Sequence, residues 1–120
     1  MLANEIVLND GVGDNTYDLV SREGMSSLRR EVGVASNLGS VLEIKNTVDL
    51  NAPTAKNRHL IRLAQSEVDG TTGVLYPFSV HCVITRDKNA SDASIKALLM
   101  ELSALISTSA SMDDVLLGGN

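Results

Sequence analysis

The feature that most constrains this chain is a change of hydrophobic period towards its end. Tyr76, Phe78, Val80, Cys82 and Ile84 alternate with Pro77, Ser79, His81, Val83 and Thr85, the period of two that belongs to a strand buried on one face. Further on, Ile95, Leu98, Leu99, Leu102, Leu105 and Ile106 recur at spacings of three and four, which lays them in one stripe along a helix that must face a core. Between the two patterns, residues 89–92 read Asn-Ala-Ser-Asp, so that Asn89 or Ser91 can accept a hydrogen bond from the first free amides of the helix. Every earlier segment is strand-like. Strands followed by a closing helix give an α+β order and exclude alternating βαβ units.

Upstream, residues 5–8 and 16–20 flank a glycine-containing turn at 9–15 and predict an N-terminal β-hairpin. Residues 21–27 are rich in Ser and Gly and serve as a connection, and 27–34 are expected as a strand although Leu28, Val32 and Val34 fit neither period. A turn is expected at 37–40. Over 43–50, Ile44, Val48 and Leu50 stand on one side and Glu43, Lys45, Thr47 and Asp49 on the other, with Asn46 breaking the pattern. Residues 51–56 break the strand, since Pro53 has no amide hydrogen for a ladder. The strand resumes over 59–65 with apolar residues on both faces, so its register is unreadable; 69–73 are expected as a loop. Beyond the helix, 107–111 interrupt and 112–117 form a short second helical segment that Gly118 and Gly119 end. The expectation is one domain over 1–120: an N-terminal β-hairpin, an antiparallel sheet of about five strands, a C-terminal helix and a short second helical segment.

With 120 residues, 43% of them hydrophobic, the chain can bury a single core without staples. Cys82 is the only cysteine, which excludes an intrachain disulfide and a cysteine-based zinc site. Tyr17, Tyr76 and Phe78 are the only aromatic residues, too few for a platform on which successive bases stack. The first residues lack the basic and apolar regions of a secretory signal, and no apolar run approaches the roughly 18–20 residues of a membrane span. The expectation is a cytosolic product with no membrane partner.

Charge is unevenly placed. The net charge is −5, yet all ten Lys and Arg fall between Arg22 and Lys96; Glu5, Asp10, Asp14 and Asp18 precede them, and Glu101, Asp113 and Asp114 follow. The middle of the chain can therefore meet an anion while its ends face elsewhere. An antiparallel sheet with one helix has two faces and one cover. If the helix packs on the Tyr76, Phe78 and Val80 side, the other side presents Ser79, His81 and Thr85 beside Lys45 and Thr47, a face that is wet or partnered. One helix is also narrow for such a sheet, so dimers that exchange helices are expected.

Few motifs carry chemistry. Residues 10–14 contain a GxG without the third glycine or lysine of a nucleotide fingerprint, and a plain hairpin turn accounts for them. His81 and Cys82 are adjacent, so in a strand they point to opposite faces and cannot form a nucleophile pair; Cys82 reads as a small core residue. His59 and His81 without a placed carboxylate do not specify a metal. No catalytic motif, metal site or cofactor is expected. The densest basic stretch is Lys56, Asn57, Arg58 and His59, followed by Arg62. It reads either as a solvated strand edge or as a contact in which Lys and Arg meet phosphates while Asn and Thr meet bases or sugars.

Several strings, taken in order, resemble the coat proteins of the small single-stranded RNA bacteriophages, the levivirus group. They are Asn57-Arg58 entering a strand after Ala55-Lys56; the passage from Phe78 to Leu102, in which Asn89-Ala-Ser-Asp-Ala-Ser94 leads into the helix; and residues 41–48, which are similar to the family's central strand. The likeness spans nearly the whole chain, although the family tends to be slightly longer. It implies a homodimer with one continuous sheet and helices packed over the partner. Such dimers assemble into an icosahedral shell, sheet face inward, around single-stranded genomic RNA. It also implies binding of an RNA hairpin that represses translation, residence in the virion after synthesis in the bacterial host cytoplasm, and no enzyme activity. By the same resemblance Lys45 and Thr47 belong to the RNA face, Asn57 matches a base-contacting position, and His59 falls where a basic residue is common. Ile61 and Leu63 replace polar residues unless a one-residue shift brings Arg62 to that face; Ser79 and His81 complete the expected RNA-binding set. The turn with Glu67, Asp69, Gly70 and Gly73 corresponds to an interdimer loop whose glycines permit alternative conformations. Two other readings stay open: a cellular dimeric RNA- or ligand-binding module that does not assemble, and a small α+β enzyme.

Overall fold

Six strands stand side by side in chain order: β1 (Glu5–Asn9), β2 (Asp14–Glu23), β3 (Ser26–Glu31), β4 (Val41–Thr47), β5 (Lys56–Val68) and β6 (Leu75–Asp87). The computed structural model describes residues 2–34, 39–48 and 56–118. The sheet has six strands where about five were expected, because the hairpin strands and all four later segments join one ladder. Of the break expected at 51–56, residues 51–55 lie outside the described residues, as do 37 and 38 of the turn at 37–40 and Asp49 and Leu50 of the preceding strand. The chain divides into two compact units, Met1–Arg86 and Asp87–Asn120.

The turns follow from side chains that capture backbone amides. Asp10 Oδ1 accepts from the amides of Val12 and Gly13 at 2.8 and 2.9 Å, and Asn9 Oδ1 from that of Gly11 at 2.8 Å, so the GxG is a hairpin turn. The amides of Gly13 and Val12 hold the Asp10 carboxyl below its usual range. The expected connection over 21–27 shrinks to Gly24 and Met25, since Glu23 already pairs with Ser26 and Gly24 takes φ +57. A bulge between Leu19 and Ser21 interrupts the pairing of β2, and beyond it Arg22 takes the side that Tyr17 and Leu19 hold before it.

Register assigns the paired residues of β3, β4 and β5 to faces. Ser26, Leu28 and Arg30 of β3 lie opposite Lys45, Glu43 and Val41 of β4, which lie opposite Leu60, Arg62 and Ala64 of β5. The reverse face carries Arg29, Leu42 and Leu63 in one row and Ser27, Ile44 and Ile61 in the next. The buried residues Tyr17, Arg29, Ser40 and Leu42 belong to this reverse face, so the core of the sheet unit sits there.

Arg29 is 0% exposed. Its Nε and Nη2 donate to the Ala3 carbonyl at 3.2 and 2.7 Å and its Nη1 to Ser27 Oγ at 2.7 Å, while Arg22 Nη2 donates to the Leu2 carbonyl at 2.8 Å. Two arginines thus strap the residues before β1 to the sheet. Burial pushes the Arg29 guanidinium down from its usual value, and the like charge of Arg22 adds to the effect.

In the second unit, α1 (Asp92–Ile106) begins at Ser91, whose hydroxyl accepts from the Ser94 amide at 3.2 Å; of the two expected caps, Ser91 is the one used. The interruption is shorter than 107–111: α2 (Ser109–Leu116) starts after Ser107 and Thr108, with a bend of 79°. Thr108 Oγ1 donates back to the Ala104 carbonyl at 2.9 Å and helps close α1. No residue of either helix is buried.

Candidate nucleic-acid interface

The exposed side of the ladder is built from alternate residues of three strands. Lys45 and Thr47 of β4 are exposed and two residues apart, and their partners across the β4–β5 ladder are Leu60 and Arg58. Glu43 stands one step further along, opposite Arg62. Its Oε1 lies 3.5 Å from Lys45 Nζ and 4.0 Å from Arg62 Nη1, so a single carboxylate spaces two cations and keeps both at the surface. Such partly exposed pairs add at most about 1 kcal/mol each; their effect here is on position.

The third strand joins through a shared concavity. Val41, Arg62, Ala64, Pro77 and Ser79 line it together, which places the odd-numbered residues of β6 on the Lys45 side. Ser79 Oγ and His81 Nε2 are 3.0 Å apart, as two residues on one face of a strand should be. The geometry therefore gathers Lys45, Thr47, Arg62, Ser79 and His81 onto one face, and the one-residue shift that brings Arg62 there is the register the structure adopts.

Asn57 and His59 do not join them. In β5 the residues on the Lys45 side are Arg58, Leu60, Arg62 and Ala64, so Asn57, His59, Ile61 and Leu63 turn to the reverse face. His59 Nδ1 meets Asn46 Oδ1 at 2.8 Å, and Asn46 Nδ2 donates to the Met25 carbonyl at 3.3 Å; the amide orientation makes His59 Nδ1 the donor. Asn57 Oδ1 is buried and accepts no hydrogen bond among the described residues. The expectation that Asn57 and His59 share a face with Lys45 and Thr47 is thus corrected by strand alternation. The sequence pattern already put Glu43 on the Lys45 side and Arg58 in the basic stretch, but neither entered the RNA-binding set. The signal was present: Arg58 and Arg62 are four apart in one strand and share a side.

The expected loop is shorter and more ordered than its glycines suggested. Glu67 belongs to β5, and the turn is closed by Asp69 N–H to the Val74 carbonyl at 2.9 Å and Gly73 N–H to the Asp69 carbonyl at 2.8 Å. Asp69 Oδ1 accepts from the Thr71 amide at 2.8 Å, and the Thr71 and Thr72 amides hold its carboxyl below the usual range. Gly73 takes φ +73, whereas Gly70 keeps an ordinary backbone, so only Gly73 uses the freedom of glycine.

Among the described residues no three His, Cys, Asp or Glu side chains cluster as metal ligands. No single described helix is long and apolar enough to cross a membrane.

By sequence, no family model and no curated protein matches the chain. By structure, it superposes on the virus-like particle of bacteriophage AVE019 with a TM-score of 0.82 at 16% identity, over 100% of this chain and 99% of that one. The virus-like particle of Beihai levi-like virus 21 gives 0.79 at 17% identity, covering 100% and 98%. The bacteriophage GA protein capsid gives 0.67 at 12%, covering 98% and 95%. The chain has the levivirus coat-protein fold. The coat fold accounts for strands in simple chain order followed by two helices, and the match runs through both units.

Proposed function

We propose that this chain is the coat protein of a small single-stranded RNA bacteriophage, that its whole length acts as one coat domain, and that it resides in the virion. The observation that carries the reading is the end-to-end match to chains solved as phage virus-like particles. Homodimers form first and then assemble into an icosahedral shell around RNA. The single chain supports this order, because it leaves two apolar surfaces open: Phe78 and Val80 on the reverse face of β6 are 47% and 67% exposed, and Leu98 and Leu102 of α1 are 67% and 44% exposed. A second copy that covers them removes that surface from water. The free edge of β6, thirteen residues long, offers unpaired backbone groups to the same partner.

The face with Lys45, Arg58 and Arg62 turns inward and meets phosphates of single-stranded RNA, and Thr47, Ser79 and His81 supply hydrogen bonds beside them. The chain net charge of −5 makes this attraction local and salt-sensitive. Repression of translation through an RNA hairpin belongs to the same face. The reading requires no cofactor and assigns no catalysis. Electron microscopy of the purified protein tests it: uniform closed particles are expected, and a homogeneous dimer at every salt and RNA concentration would refute the shell.

A further inference from the structure

β6 ends the sheet on one side, and its outer edge has no neighbour in the ladder among the described residues. Two observations set which of its backbone groups point outward. The Val74 carbonyl, just before the strand, accepts from the Asp69 amide at 2.9 Å, and Pro77 has no amide hydrogen to give to β5. Alternation then turns the even-numbered residues to β5 and leaves the N–H and C=O groups of Ser79, His81, Val83 and Thr85 at the free edge. His81 is the middle residue of the strand, Leu75–Asp87. An antiparallel strand of a second copy that overlaps β6 along its whole length therefore sets His81 opposite the partner's His81 and Ser79 opposite the partner's Val83. We propose that two copies pair in this register and that the two His81 side chains, meeting on the exposed face at the two-fold axis, make the dimer acid-sensitive. The inference rests on the homodimer reading and adds to it the residue at the axis and its chemistry.

Residues directly opposite in an antiparallel ladder hold their Cβ atoms about 4.5–5.5 Å apart, and like charges there are destabilising. Histidine is the side chain whose charge ordinarily changes between about pH 5 and 8. Neutral imidazoles let the two edges close, and protonation sets cation against cation across the axis. His81 is exposed and so can take a proton from solvent; Ser79 Oγ, 3.0 Å from its Nε2, can accept from the imidazolium once it forms. Among the described residues the surrounding charges add to the repulsion. From β5, Arg62 shares a concavity with Ser79. From β4 come Lys45 and Glu43, and the Glu43 carboxylate is already set between Lys45 and Arg62. On β6 itself, Asp87 stands at the far end of the strand. The partner's β6 brings the same set. His59, the other histidine, lies on the reverse face against Asn46, outside this arrangement.

The test measures the dimer dissociation constant of the RNA-free full chain by sedimentation, from about pH 7.5 to about pH 5.5. The wild-type constant should rise about fivefold over that range, the upper end of what one like-charge pair across a ladder costs. His81→Gln should remove the rise, His81→Lys should give the weaker dimer already at the upper pH, and His59→Gln should keep the wild-type rise. A wild-type constant that does not move with pH, or a rise that survives in His81→Gln, would overturn the switch. Register has its own readout, independent of titration. In a Cys82→Ser background, His81→Cys should cross-link to its own copy on mild oxidation, because Cα atoms about 5.5 Å apart suit a disulfide. Failure of His81→Cys to cross-link would overturn the histidine pair while leaving the dimer intact. A chain that stays monomeric even at the upper pH would refute the homodimer reading and take the pair with it.

Discussion

At the scale of single residues, two side chains organise backbone that would otherwise be loose. Asp69 gathers the amides of Thr71 and Thr72 and takes a hydroxyl bond from Tyr76 at 3.4 Å. Its carboxyl is held below the ordinary 3.8 chiefly by those amides. A depressed folded-state pKa contributes stability that is fully present above the unfolded value and is lost as pH falls through the folded one. Asp69→Asn should therefore exchange the Thr71 amide hydrogen faster than wild type at neutral pH, and the difference should close once pH falls well below 3.8. A constant difference down to acid pH would mean that shape, and not charge, holds the turn. Arg29 acts at the other end of the sheet, where its three hydrogen bonds go to neutral oxygens and no carboxylate pairs with it among the described residues. Its contribution is packing plus satisfied donors. Arg29→Ala should cost about 2–4 kcal/mol in chemical denaturation, from a cavity and an orphaned Ala3 carbonyl. Arg29→Met should cost less, because it refills the volume and removes the buried charge.

At the scale of elements, legibility in the sequence tracked how cleanly one face was apolar. The alternation of β6 and the stripe of α1 were readable because each has a single wet side. β2 was cut short, since the bulge at Val20 breaks its period and Glu23 to Ser26 resemble a loop by composition; only pairing reveals that Glu23 meets Ser26. β5 was unreadable in register because Ile61 and Leu63 on one side compete with Leu60 and Ala64 on the other. That ambiguity carried over to the candidate site: Lys45 and Thr47 could be assigned to one side from their own strand, but Asn57 and Arg62 needed the partner strand to decide. The α1 stripe leads to a prediction of its own. Leu98 is 67% exposed in the single chain, so Leu98→Asp costs the isolated chain little and costs a dimer the burial of an unpaired charge. The variant should keep its helical circular dichroism while its dimer dissociation constant rises at least about a hundredfold, equivalent to roughly 2.8 kcal/mol. Dimers of unchanged affinity would show that α1 stays in water.

At the scale of the whole molecule, the distribution of charge and the two-sidedness of the sheet reinforce each other. The acids at either end of the chain, four before Arg22 and three after Lys96, would repel a phosphate chain from those segments. The middle of the chain places Lys45, Arg58 and Arg62 on one face and commits His59 and Asn57 to the other. On the proposed RNA-binding reading the contact should accordingly be one-sided, and three substitutions test that. Lys45→Ala and Arg58→Ala each remove one cation from the exposed face. Each should weaken binding to every single-stranded RNA alike and reduce the slope of log affinity against log salt by about 0.7, the share of one phosphate on a single strand. Asn57→Ala lies on the reverse face, where its Oδ1 is buried with no hydrogen-bond partner among the described residues, so it should leave both affinity and slope unchanged. Filter binding of the three variants to one hairpin and to a scrambled RNA, across a salt series, separates the cases. If Asn57→Ala alone lost affinity for the hairpin, RNA would be reading the reverse face, and the assignment of Lys45, Arg58 and Arg62 to the genome side would have to be inverted.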